Sequence, residues 1–307
     1  MIVSDSFEVL RHQKSAVTIG TFDGVHVGHQ KIINHLVEIA QAKGLKSVVL
    51  TFFPHPRMVL SAEHGIKLLN TIEEKSKLLG DLGVDYLIVL PFTREFSNQS
   101  ASEFVQNILV TGLGVAHLVV GYDHRFGNNR EANVDDLIEF GAQFNFEVEQ
   151  IEAQDIAEVT ISSTKIRNAL KNGEVDLASQ YLGYNFKFVG KVIHGHARGR
   201  KLGYPTANLQ LENDYKLIPK NGVYAVRVLW NRSKFDGMMN IGYNPTLSDQ
   251  GISIEVHLFD FEGDLYGENL EVHFVSRLRD EIKFDDIEAL KSQLFEDKDR
   301  ALTILKK

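Results

Sequence analysis

No cysteine occurs among the 307 residues, which excludes disulfides, thiolate nucleophiles and cysteine-ligated zinc, and leaves the redox compartment without a marker. Proline is scarce, at 6 positions, and with 43% hydrophobic and 24% charged residues the balance is that of an ordinary globular chain rather than a disordered or fibrous one. A basic excess is missing too: 41 acidic against 33 basic residues leave a formal charge of -8, which repels phosphate backbones and anionic lipid unless a local patch overrides it. The longest apolar runs, such as Tyr86 to Leu90, fall far short of a membrane span. The first residues, MIVSDSFEVLRHQK, lack a basic start followed by an apolar core. These absences predict a cytoplasmic protein with neither nucleic acid nor membrane as a partner.

What is present divides in two, as the length suggests. From Ala16 to about Gly183, short β-branched runs (AVTIG, SVVLTFF, YLIVL, HLVVG) alternate with stretches whose apolar residues recur at helical spacing. A first helix is expected from about His29, with Ile32, Ile33, Leu36, Val37 and Ala40 on one face and Gly44 as its left-handed stop. Thr71 with Glu74, and Ser100 with Glu103, have capping-box spacing ahead of two more helices. Strands that alternate with helices need crossovers, so the fold class is α/β, with a doubly wound parallel sheet and a site at the carboxyl ends of its strands. After Gly183 the chain turns to Gly-punctuated alternating segments (FKFVGKVI, YAVRVLW, GMMNIG, ISIEVHLF, LEVHFVSRL), which predict a small antiparallel β-barrel with a terminal helix from about Asp286 to Leu305. The expected domains are therefore 1–183 and 184–307.

In the first half, Gly20-Thr21-Phe22-Asp23-Gly24-Val25-His26-Val27-Gly28-His29 stands where a strand ends and a helix begins. Glycines admit close backbone approach and helix-start N–H groups favour an anion, so the segment reads as a phosphate cradle. Two imidazoles beside a reacting phosphate can stabilise charge that builds up in an in-line transition state. The competing reading is a surface and a packed histidine beside a structural turn. Ser163-Thr164-Lys165-Ile166-Arg167 places hydroxyls and a guanidinium at a helix start, which suits pyrophosphate but also describes a well-capped helix.

The first segment resembles the His-x-Gly-His signature of nucleotidyltransferases, in the form carried by the flavin adenylyltransferases of bacterial FAD synthetases. Thr51-Phe52-Phe53-Pro54-His55-Pro56 is similar to that family's TFxPHP loop, and Ile161 to Arg167 to its SSTxIR element. Gly121-Tyr122-Asp123-His124-Arg125-Phe126-Gly127 resembles its GxDFxFG segment, with His124 where an aromatic residue is expected; a polar loop around a buried Phe126 fits equally.

In the second half a strand enters the basic, Gly-rich stretch Gly190 to Asn208, which can wrap phosphates with backbone N–H groups or be a solvated cationic loop. Thr206 and Asn208 can offer oxygens to Mg²⁺. Arg198 to Leu209 resembles the riboflavin kinase signature ending in PTAN, with His196 where an acidic residue is usual. Asn221 to Ala225, Asn240 to Thr246 and Ile254 to Leu258 continue the likeness over nearly the whole chain. Alternation puts Ser253, Glu255 and His257 on the face opposite Ile254, Val256 and Leu258; by itself this describes solvent-facing residues.

The resemblance implies two steps: riboflavin and ATP give FMN, then FMN and a second ATP give FAD and pyrophosphate, with Mg²⁺ serving both. It implies His26, His29 and Glu255 as catalytic residues, Glu255 as the base for the ribityl hydroxyl. It implies Gly20, Phe22, Asp23, Gly24, Ser163, Thr164, Arg167, Gly195 and Lys201 around ATP. Pro54, His55, Asp123, Arg125 and Arg279 would meet flavin, and Thr206 and Asn208 the metal. Two rivals remain at this stage: adenylylation of another phosphate monoester, and a flavin-binding protein without turnover.

Overall fold

The computed structural model describes residues 1–61, 65–121, 125–128, 131–151, 161–195, 199, 203–243 and 251–306. It divides into two compact units, Met1–Ser162 and Ser163–Lys307.

The first unit runs β1 (Ile2–Ser4), β2 (Ser15–Ile19), α1 (Val27–Lys43), β3 (Lys46–Phe53), α2 (Pro56–Leu60), α3 (Ile72–Asp81), β4 (Tyr86–Pro91), α4 (Arg94–Ser97), α5 (Ala101–Phe104), β5 (Val115–Gly121), α6 (Val134–Phe144) and β6 (Glu147–Ile151). All strand pairings are parallel, in the order β1-β4-β3-β2-β5-β6. The chain winds from β2 outward through β3 and β4, then returns to the other side of β2 with β5. That reversal is the switch point at which doubly wound sheets open a crevice, and the glycine-histidine turn leaves β2 there. Alternate strand residues face opposite layers: Val17, Val48, Leu50, Ile88 and Leu118 pack with Leu109 and Leu137 on one side. Ala16, Val49, Leu87 and Val119 pack with Ile33, Leu36 and Ala40 of α1 on the other.

The helix ends follow local chemistry. Gly44, at φ 64°, closes α1 by donating its N–H to the carbonyls of Ala40 and Gln41. Both capping boxes form: Thr71 and Glu74 bond reciprocally, as do Ser100 and Glu103. After Phe104 the winding loosens to a π-helix over Val105–Gly112, which the sequence does not announce.

The second unit begins with α7 (Ser163–Asn172) and α8 (Val175–Leu182), followed by β7 (Lys187–Ile193), β8 (Ala207–Gln210), β9 (Gly222–Trp230), β10 (Ser233–Tyr243), β11 (Ile252–Leu258), β12 (Asn269–Arg279) and α9 (Ile287–Leu305). The six strands close into an antiparallel barrel in the order β10-β11-β8-β7-β12-β9. β8, four residues long and starting directly after Thr206, is a strand within the stretch expected as a Gly-rich loop. Asp286 caps α9 by accepting from Ala289 N–H at 2.7 Å. β12 shifts register twice, between Phe274 and Ser276 and between Arg277 and Arg279, and such bulges re-aim the side chains around them.

Candidate active sites

The turn after β2 is shaped by close approach. A Cβ on Gly20 would stand 2.9 Å from the Phe22 ring. Phe22, Gly24 and Val25 hold φ of 44°, 90° and 36°. Positive φ is costly for phenylalanine and more so for β-branched valine, so the surroundings must hold the turn in place. Asp23, buried, does part of this: its Oδ1 accepts from the N–H groups of Leu69 and Asn70 at 2.9 and 3.3 Å.

His26 is the N-cap of α1, its Nδ1 accepting from His29 N–H at 3.4 Å. An accepting Nδ1 puts the proton of the neutral ring on Nε2, which can then donate. The two imidazoles stack at 3.6 Å between centroids, and Phe22 meets His29 edge-on at 5.2 Å. Burial pushes His26 down to about 4 against the opposing pull of Asp23. Burial also holds His29 well below its ordinary value, and the neighbouring His26 and Lys75 add to this. Both rings are therefore neutral at pH 7, and the buried His29 Nδ1 has no hydrogen-bond partner among the described residues.

This has a consequence for stability. An unfolded His26 takes up a proton as pH falls through about 6.5, while the folded one does not until about 4. The unfolded state thus binds more protons in that window, and stability is lost as pH drops through it. Melting of the parent protein should fall across this range more steeply than melting of a His26→Asn variant, which has no proton to take up at that position.

Pro54 is exposed and His55 buried at the end of β3, where His55 caps α2 by accepting from Arg57 N–H at 3.1 Å. Arg125 is exposed beside the buried Phe126; Asp123 lies outside the described residues, as do His124, His196 and Lys201. Ser163, Thr164 and Arg167 stand on the first turns of α7, which groups with the barrel unit, Thr164 exposed and Arg167 buried.

Sequence reasoning missed Lys75. It is buried on α3 and donates from Nζ to the Thr21 carbonyl at 2.6 Å. A signal was present: Lys75, Leu78, Leu79 and Leu82 occupy the i, i+3, i+4, i+7 stripe of an amphipathic helix, where a lysine is out of place.

In the second unit a cleft of about 270 Å³ lies under α9, lined by Thr206, Glu255, His257, Arg279 and Asp297 together with apolar residues such as Met239 and Leu294. Both Glu255 oxygens accept hydrogen bonds, from the Thr206 hydroxyl at 3.0 Å and the Ser253 hydroxyl at 3.1 Å. Asn208 of β8 stands opposite Glu255 in register. Its amide fills the space left by a missing side chain: a Cβ on Gly195 would lie 2.0 Å from Asn208 Nδ2. The His257 Nδ1–H donates to the Pro205 carbonyl at 2.8 Å and so holds the strand entry against β11. The face that alternation assigned to Glu255 is thus polar but largely covered, with Ser253 and His257 both buried.

Arg279 reaches the cleft wall, its guanidinium held bidentately by Asp297 of α9 (Nε to Oδ1 2.9 Å, Nη2 to Oδ2 2.7 Å). The Thr206 hydroxyl and the Asn208 amide carry hard oxygen donors of the kind that suits Mg²⁺, beside the Glu255 carboxylate.

The glycine-histidine turn at the sheet's switch point and the cleft of the barrel give each unit a candidate site of its own. The FAD synthetase family model matches residues 9–165, and the riboflavin kinase family model residues 182–305. A bifunctional riboflavin kinase/FMN adenylyltransferase of Listeria monocytogenes is 45% identical over 283 residues, 92% of this chain and 89% of that protein. One from Bacillus subtilis is 40% identical over 297 residues, 94% of this chain and 92% of that protein. A solved structure described as a macrolide-efflux protein from Streptococcus pneumoniae superposes with a TM-score of 0.87 at 33% identity, over 97% of each chain. Among the described residues no helix is long and apolar enough to cross a membrane. The chain belongs to the bifunctional riboflavin kinase/FMN adenylyltransferase family.

Proposed function

We propose that the chain converts riboflavin to FMN with one ATP in its C-terminal domain, residues 184–307, and FMN to FAD with a second ATP in its N-terminal domain, residues 1–183. The match of one chain to both family models carries this reading.

For adenylylation, a phosphate oxygen of FMN attacks the α-phosphorus of ATP as the bond to pyrophosphate breaks. The cradle of Gly20, Phe22, Asp23 and Gly24 receives the nucleotide, and the neutral His26 and His29 donate hydrogen bonds where negative charge grows. Ser163, Thr164 and Arg167 take the departing pyrophosphate, while Pro54, His55, Asp123 and Arg125 meet the flavin. For phosphorylation, Glu255 accepts the proton of the ribityl hydroxyl as that oxygen bonds the γ-phosphorus and ADP leaves. Gly195 and Lys201 serve the nucleotide phosphates and Arg279 the flavin. Thr206 and Asn208 would hold Mg²⁺, which offers positive charge to the ATP oxygens when bound. The substrates are small molecules in the cytoplasm, with no nucleic-acid or membrane partner.

The test is direct. Purified protein incubated with riboflavin, ATP and Mg²⁺ should yield FMN, FAD, ADP and pyrophosphate over time; FMN without FAD, or binding without any product, would overturn the reading in part or whole.

The packing also predicts which fragment carries the kinase step. Leu170 of α7 accepts from Lys220 N–H, and Val175, Ala178 and Leu182 of α8 are buried. A fragment starting at Ser163 should fold alone and phosphorylate riboflavin. One starting at Gly183 should keep activity but melt at least about 5 °C lower, having lost those buried side chains. Calorimetry and an FMN assay on both fragments check this.

A further inference from the structure

The strained turn that presents His26 and His29 is fastened from behind by a charge. Lys75 is 5% exposed, and its Nζ donates to the Thr21 carbonyl, which also accepts from the Thr51 hydroxyl at 3.3 Å. Two donors thus clamp the residue just ahead of Phe22, where the left-handed stretch begins. A buried ammonium is costly unless it is paired, and Asp23, within the same turn, supplies the opposing charge. Asp23 is itself fixed by the Leu69 and Asn70 N–H groups just ahead of α3, so the cation and its counter-charge tie α3 to the turn at two points.

We propose that Lys75 is a positioning residue of the adenylyl-transfer site: its protonated amine clamps the turn that carries the histidine pair and keeps positive charge behind the place where ATP phosphates sit. The inference rests on the reading of this turn as the ATP site. A neutral strut of the same shape would also fill the space, but the function would then not follow the lysine's proton. Burial brings Lys75 down to about 8, with Asp23 opposing, so the proton is lost within an accessible range. Its charge also helps to hold His29 below its ordinary value.

The experiment measures FMN adenylylation by full-length parent, Lys75→Arg and Lys75→Met from about pH 6 to about pH 9.5, with riboflavin phosphorylation followed in the same samples. A parent that makes no FAD from supplied FMN and ATP refutes the assigned function before any variant is compared. Given activity, the parent's kcat/KM should decline as pH rises through about 8. Lys75→Arg, charged throughout, should move that decline upward by about one pH unit or more and keep activity within roughly tenfold. Lys75→Met should lower adenylylation roughly ten- to a hundredfold, the scale of a lost charged hydrogen bond, and leave no decline near pH 8. Its phosphorylation of riboflavin should stay within about twofold. Should Lys75→Met lose both activities through misfolding, the arginine profile and an NMR titration of the parent's Lys75 Nζ decide. A profile flat through pH 8 in the parent, a decline unmoved by arginine, or a methionine variant within about threefold of the parent would each overturn the proposal.

Discussion

Replacing His29 with alanine is expected to slow FMN adenylylation by about a hundredfold or more, the scale for removing one preorganised donor from a developing anion. The expectation follows from the turn's construction. The ring is neutral, stacked on His26 and met edge-on by Phe22, so it is held in one orientation before any substrate arrives. Alanine removes the donor while leaving helix α1 intact, because the cap belongs to His26, whose Nδ1 accepts from the residue 29 N–H, a backbone group. Riboflavin phosphorylation should remain within a few-fold, since Glu255 and its cleft belong to the other unit. Steady-state rates of both half-reactions on one preparation provide the check. Equal loss of both in a folded protein would mean that the two centres do not work separately.

Glu255→Gln should lower riboflavin phosphorylation by at least about a hundredfold, within the range that a general base contributes. A primary hydroxyl attacks phosphorus poorly until its proton is accepted. In the proposed reaction Glu255 accepts it, with the hydroxyls of Ser253 on the same strand and of Thr206 directed at its two oxygens. Glutamine retains the volume and an acceptor for one of those hydroxyls but cannot take up a proton at neutral pH. Riboflavin and ATP should still bind, and supplied FMN should still be adenylylated at the parental rate. A variant that phosphorylates riboflavin within about tenfold of the parent would remove Glu255 from the role of base.

Much of this was legible in the sequence because the signals were local. Thr71 with Glu74 and Ser100 with Glu103 specify their own hydrogen bonds, and Gly44 supplies the left-handed stop at no steric cost. Alternation located five barrel strands and put Glu255 on the polar face. What was not legible depends on partners distant in sequence. β8 is too short, at four residues, for periodicity to register, and it exists because β7 and β11 pair with it on both sides. The π-winding after Phe104 breaks no sequence rule. The apolar stripe of α3 marks Lys75 as out of place, but its partners, Asp23 and the Thr21 carbonyl, lie more than fifty residues earlier and no local pattern names them. The grip of Asp297 on Arg279 joins β12 to a helix that local patterning does not place against it.

The closed ring of the second unit decides where this chain is exposed to wrong association. A ring of six mutually paired strands offers no unpaired backbone rim on which a foreign segment could add itself. Among the described residues the open sheet of the first unit presents such rims, at β1 and β6, and each is guarded differently. β1 is three residues long, too short a template to recruit much. β6 carries Glu147 and Glu149, the first ion-paired with Lys43 and the second bonded to His35 and His117, so an incoming strand would have to strip charges from their partners. Edge-to-edge growth on the folded first unit would therefore have to break the ion pairs of β6 before it could begin.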